Sequence, residues 1–124
     1  KIPISNILYD KSNTYMNEKK ENNINLNNIE FKNVDTEKFP SVNFINKCLN
    51  LGQSTPIIVN AANEVLVNLF LEEKVKFLDI VRTINKIFKD KEFNKYAKRK
   101  PNSVRDIIKI DNWARLKTEA ISVI

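Results

Sequence analysis

Residues 54–73 read STPIIVNAANEVLVNLFLEE, and this stretch decides the fold. Ser54 or Thr55 can cap a helix, and Pro56 suits a first helical position because its missing N–H would have no partner there. The spacing predicts a helix from Pro56 to Glu72–Glu73. Ile57, Ile58, Ala61, Ala62, Val65, Leu66, Val67, Leu69, Phe70 and Leu71 occupy almost the full circle of the helical wheel. A helix that is apolar nearly all round is expected to be buried on most sides, at the centre of a helical domain. Asn60, Glu64 and Asn68 form one polar stripe at i, i+4 and i+8, with Asn63 set aside from it. The stripe faces either the one open side or a hydrogen-bonded seam. Glu64 lacks the second acid, base or metal ligand that catalysis by a carboxylate needs.

Working outward, Pro40 to Leu51 is expected to form a first helix, with Gly52 as its stop. Val42, Phe44, Ile45, Cys48, Leu49 and Leu51 share one broad face, so Cys48 reads as a small core hydrophobe. A third helix is expected from Phe77 to Asp90, with Phe77, Ile80, Val81, Ile84, Ile87 and Phe88 inward. Phe93 and Tyr96 anchor a further turn, and Lys98–Pro101 breaks the chain. Asn102 or Ser103 can cap a short piece, Val104 to Lys109. Asp111 then reads as the cap of a last helix with an apolar face of Trp113, Leu116, Ala120, Val123 and Ile124. Four principal helices with short connections predict an all-α, four-helix-bundle-like domain over 39–124.

Before that domain the pattern is weak. Residues 1–10 carry Ile2, Ile4, Ile7 and Leu8 around Pro3, as a short extended segment or the start of a short helix would. Residues 11–28 are rich in Asn and Lys and bury too little apolar surface to order themselves; with Ile29, Phe31 and Val34 they are expected to lead, as a polar linker over 11–38, into Phe39-Pro40. The chain opens at Lys1 and its single methionine is Met16, so a segment of a longer translation product is expected. Residues 1–10 do not form a secretory signal, and no run approaches a membrane span.

Composition excludes more than it suggests. The chain has 124 residues, no histidine, one glycine and one cysteine. Absent histidine removes Ser–His and Cys–His catalytic pairs and histidine-containing zinc sites. A single glycine removes the glycine-rich turns that let backbone approach phosphate. A single cysteine excludes an internal disulfide and a thiolate metal cluster. The formal net charge is +6, with the densest basic run at Lys95, Lys98, Arg99 and Lys100 after Lys89 and Lys91. Such a run could contact phosphate, but the interleaved Asp90 and Glu92 and the scarcity of aromatics favour a solvated helix end. A small basic module binding nucleic acid through Lys89–Arg105, or a plain protein-interaction domain, is the alternative to a piece of an enzyme.

One resemblance chooses among these. Phe39-Pro40, Gly52, Asn60-Ala61-Ala62-Asn63-Glu64 with Val67 and Phe70-Leu71, Phe77, Asp79-Ile80 and Ala114-Arg115 occur in an order that resembles the C-terminal portion of 1-deoxy-D-xylulose 5-phosphate reductoisomerase. Ile2-Pro3-Ile4 is similar to the segment that follows that family's catalytic region, so only residues 11–28 fall outside the likeness. The resemblance implies an oxidoreductase of the non-mevalonate isoprenoid pathway, cytoplasmic in bacteria or in a plastid-type organelle, and a homodimer. It implies NADPH and a divalent metal (Mg or Mn) bound by preceding domains, a phosphorylated sugar substrate, and neither membrane nor nucleic acid as partner. The family's metal carboxylates and phosphate-binding cluster precede the point matching Lys1. Accordingly no residue here is assigned a catalytic, cofactor-binding or metal role, and the segment is expected to be inactive alone, acting as a scaffold. Ser41 stands where many relatives carry cysteine.

Overall fold

The computed structural model describes residues 32–122. The expectations for residues 1–10 and for the linker up to residue 31 therefore lie outside the described residues, as do those for Val123 and Ile124. Within the described part the fold is all-α. A turn opens it: the Asp35 carboxylate accepts the N–H groups of Glu37 and Lys38, both at 3.0 Å. A single 3-10 turn, Pro40–Val42, with proline at its start, leads into helix α1, Asn43–Asn50. Helix α2 spans Thr55–Leu71, α3 Phe77–Phe88, α4 Phe93–Ala97 and α5 Val104–Ser122.

Helix α2 is the centre, in contact with α1, α3, α4 and α5. Ile58, Ala61, Ala62, Val65 and Leu66 are its buried apolar side chains, with Thr55 buried at its start, while Val67, Phe70 and Leu71 at its far end are exposed. Burial on most sides thus holds for the first three turns and lapses in the last. On α5 the buried residues are Ile110, Ala114 and Thr118. Ala61, Ala62 and Ala114 are all completely buried, and such short side chains let two helix backbones approach closely. The contact between α2 and α5 is the most extensive in the domain.

Aromatic rings tie the periphery to this centre. Phe88 of α3 meets Phe44 of α1 edge-on at 5.7 Å and Phe93 of α4 edge-on at 5.4 Å. The ammonium of Lys47 lies 4.5 Å from the Phe88 ring centroid and donates to Asn85 Oδ1 at 2.8 Å. Tyr96 stacks on Trp113 at 4.3 Å, joining α4 to α5. Lys117 of α5 reaches Asp90 at 3.1 Å and Glu92 at 3.2 Å, fixing the turn before α4.

Several expectations need correction. Helix α1 does not bury its broad apolar face: Phe44 is buried and Cys48 half-buried, but Ile45 is 62% and Leu49 77% exposed. Periodicity finds an apolar face and cannot say whether anything covers it. Phe77 is likewise exposed, packed edge-on against Phe70 at 5.9 Å. Val104–Lys109 and the last helix are one continuous helix, with Asp111 inside it bonded to Arg115. Ser103 is the real start: its hydroxyl accepts the Asp106 N–H at 3.2 Å, while Asp106 accepts the Asn102 N–H at 3.2 Å. Serine and aspartate three apart satisfy two otherwise orphaned donors, which makes a second cap at Asp111 unnecessary. Trp113 is half-buried, but Leu116 and Ala120 face outward.

The cap of α2 also differs. Ser54 precedes the helix as expected, yet its hydroxyl makes no capping bond; it donates to the Arg99 carbonyl at 2.6 Å. The Ser54 N–H donates to the Ala97 carbonyl at 3.0 Å, so the start of α2 is bolted to the end of α4. Gly52 lies beside that bolt with φ +142°.

At the other end of α2, the Lys74 N–H bonds the Leu69 carbonyl at 2.8 Å and the Glu73 N–H bonds Phe70 at 3.0 Å. This is a left-handed helix stop, and Glu73 takes it at φ 59°. Glycine adopts that conformation without a Cβ penalty. Glu73→Gly is therefore expected to raise stability by up to about 1 kcal/mol, read as a higher urea midpoint; a lower midpoint would refute this account of the turn.

Candidate functional site at the α2–α5 seam

The polar stripe of α2 meets α5 at its edge. Asn60 and Glu64 are one helical turn apart, and Asn60 Nδ2 donates to Glu64 Oε1 at 3.0 Å. The other Glu64 oxygen accepts a short hydrogen bond from Arg115 Nη2, across 51 positions of sequence. Arg115 is half-buried and also donates through Nε to Asp111 Oδ2 at 2.7 Å, one turn earlier on α5. Two i, i+4 pairs, one on each helix, are thus joined by a single guanidinium. Asn63 and Asn68 are exposed and stand outside the network.

The electrostatics follow from that geometry. The hydrogen bond from Arg115 holds the Glu64 carboxyl below its ordinary range, and the bond from Asn60 adds to it. Asp111, then Glu64, push the Arg115 guanidinium further up from an already high value. Asp106 is lowered by the Ser103 hydroxyl and the Asn102 N–H. For Asp90, burial raises the carboxyl, but the Glu92 N–H and the Lys117 ammonium outweigh it and the net shift is down. A carboxylate whose folded value is depressed stabilises the fold above the ordinary range, and that contribution is lost as pH falls through the lowered value. Thermal midpoints are therefore expected to stay level from pH 8 to about 5 and to fall below about pH 4. Glu64→Gln should make the acid slope shallower. An unchanged slope in that variant would show that the Glu64–Arg115 pair contributes nothing.

This network has the chemistry of a clasp. Both of its carboxylates accept hydrogen bonds from Arg115, which leaves no free general base. Among the described residues no group of three or more carboxylates and thiols could hold a metal ion. Glu64 and Asp111 converge, but the guanidinium of Arg115 fills the place a cation would take, so these residues do not fit a divalent metal. Nor do they offer a backbone cradle for a dinucleotide: the open side of Gly52 is filled by the Ala97 carbonyl. A shallow groove of about 380 Å³ between α1, α2 and α3 is lined by Ser41, Cys48, Val59, Asn63 and Ile80 among others. Partial burial pushes the Cys48 thiol up, away from the reactive thiolate, although the residue lines this groove and is not part of the core. In the basic run, Lys95 and Arg99 lie 5.6 and 5.8 Å from the Tyr96 ring, and Lys98 and Lys100 are exposed.

The residues brought together here are the ones whose order in sequence is distinctive: Asn60-Ala61-Ala62-Asn63-Glu64 on α2 and Ala114-Arg115 on α5. The alanines make the close packing and Glu64–Arg115 the bridge above it. A family model described as the DXP reductoisomerase C-terminal domain matches residues 1–117. The chain belongs to that family. It is 34% identical to the 1-deoxy-D-xylulose 5-phosphate reductoisomerase of Pelagibacter ubique over 122 residues, which is 98% of this chain and 31% of the relative. The corresponding enzyme of Prochlorococcus marinus is 40% identical over 90 residues, 73% of this chain and 21% of that protein. Among solved structures, the Zymomonas mobilis reductoisomerase in complex with NADPH superimposes with a TM-score of 0.72 at 30% identity, covering 97% of this chain and 30% of that one. The chain thus spans under a third of the length of these relatives.

Sequence reasoning named Glu64 and Arg115 without pairing them. Each helix carries a local signal, Asn60–Glu64 and Asp111–Arg115 at i, i+4. The bridge between helices has no local signal, because it depends on how α2 and α5 pack. No helix among the described residues is long and apolar enough to cross a membrane.

Proposed function

We propose that this chain is the helical C-terminal portion of an NADPH- and divalent-metal-dependent reductoisomerase that converts 1-deoxy-D-xylulose 5-phosphate to 2-C-methyl-D-erythritol 4-phosphate. Its role is support: it supplies a rigid helical body to domains that hold nucleotide, metal (Mg or Mn) and sugar phosphate. The observation that carries this reading is the family match over residues 1–117, a span that takes in Asn60, Glu64, Asp111 and Arg115 of the clasp. The occupied carboxylates of the clasp support a structural role over a chemical one. The parent would be a homodimer in the cytoplasm of a bacterium, in keeping with its bacterial relatives, or in a plastid-type organelle. A free-standing nucleic-acid-binding module is not favoured, since the match runs through the whole helical body.

The test is an NADPH-oxidation assay with 1-deoxy-D-xylulose 5-phosphate. The polypeptide carrying this segment behind its preceding domains should turn over with Mg or Mn present, and the 124-residue chain alone should not. Turnover by the isolated chain, or none by the long polypeptide, would overturn the assignment.

A further inference from the structure

From Val104 to Leu116, α5 presents an outward face of unusual make-up. Val104 is 72%, Ile108 53% and Leu116 68% exposed, three large apolar side chains on one helix surface. Arg105 and Lys109, one turn apart, stand beside them, and both are exposed. Between Val104 and Leu116 no carboxylate is exposed. The two that occur there are withdrawn: Asp106 turns back to Ser103 and Asn102, and Asp111 is held by Arg115. Neither Arg105 nor Lys109 forms an ion pair among the described residues, whereas Arg82, Arg115 and Lys117 all do. The exposed Lys98, Arg99 and Lys100 lie just before this face in the chain. The helix thus spends Asp106 and Asp111 on its own cap and clasp and leaves an apolar surface flanked by Arg105 and Lys109, with one exposed carboxylate, Glu119, a turn beyond Leu116.

From this charge pattern we infer that the outer face of α5 docks an acidic, apolar-bearing protein segment, and that the segment belongs to the part of the same polypeptide outside these 124 residues. The inference rests on the proposed function for the existence of that part. Charge complementarity names the chemistry: carboxylates opposite Arg105 and Lys109, with apolar side chains against Val104, Ile108 and Leu116. The mixed character suits a contact between domains, which is more polar than an obligate interface and needs little intrinsic affinity when both sides share one chain. A second copy of the helical body is a poorer occupant, because it would bring the same cations.

The test is zero-length carbodiimide cross-linking of the full-length polypeptide, which joins an amine only to a carboxylate in contact with it. The expected product links Lys109 to an Asp or Glu preceding Lys1 in the same chain. Arg105→Gln, which removes the charge without placing a carboxylate beside the Lys109 amine, should cut that yield several-fold, and Arg105→Lys should preserve it. Mixing isotope-labelled and unlabelled protein separates links within a chain from links between copies. A Lys109 link only between copies, a link only to acids of the helical body, no link at all, or a yield indifferent to Arg105→Gln would each overturn the inference. Activity is read separately: a protein that cross-links as expected but fails to oxidise NADPH would refute the proposed function and leave the docking face standing.

Discussion

Gly52→Ala is expected to be among the most damaging single substitutions in this domain, lowering stability by about 3–5 kcal/mol. Two independent penalties meet at this residue. Its φ of +142° is a backbone conformation that side-chain-bearing residues rarely adopt. A Cβ built there would also lie 2.3 Å from the Ala97 carbonyl oxygen and 2.7 Å from its carbon, both backbone atoms that cannot rotate aside. Relieving the clash means moving the end of α4 away from the start of α2, which breaks the Ser54 N–H bond to Ala97 and the Ser54 hydroxyl bond to Arg99. At about 4–8 °C per kcal/mol for a domain of this size, the melting temperature should fall by tens of degrees. Circular dichroism melts of the two proteins measure this directly. A melt of Gly52→Ala that overlays the parent would mean that Gly52 is an ordinary helix stop, which is all that the sequence suggests.

That contrast shows where sequence reading reaches and where it ends. The glycine after a helical run is visible as punctuation, but the reason it must be glycine is a carbonyl 45 positions later. Helix existence was legible, because Pro56, the apolar periodicity of α3 and the Ser103 cap are local signals. Whether an apolar face is covered was not: Ile45 and Leu49 have the same spacing as residues that are buried. Asp111 misled for the opposite reason. An acid before an apolar run resembles a helix cap, and only the partner at Arg115 shows that it sits mid-helix. The family motif was legible as a pattern of letters. Its physical content, alanines for close packing and a carboxylate reaching a guanidinium on another helix, became visible only with α2 and α5 side by side.

Phe93→Ala is the second large effect expected, at about 3–5 kcal/mol. Helix α4 is only five residues long, too short to hold itself together by backbone bonds, so its position depends on side-chain anchoring. Phe93 is the largest fully buried side chain of the domain. Its ring meets Phe88 edge-on, and Phe88 in turn meets Phe44, so one ring sequence connects α4 through α3 to α1. Truncation opens a cavity that rigid neighbours on α2 and α3 cannot close. It also frees Ala97, whose carbonyl is the acceptor for Ser54, so the damage should spread to the start of α2. Amide exchange distinguishes this from simple loss of packing. In Phe93→Ala, exchange at Ser54 and Ile58 should accelerate markedly while Ala114 and Thr118, in the interior of the long helix α5, change least. Phe93→Leu, which keeps most of the volume, should recover more than half of the lost stability. Uniform acceleration across α2 and α5 would instead assign Phe93 to a core that unfolds as one unit, with no separate role in holding α4 against the start of α2.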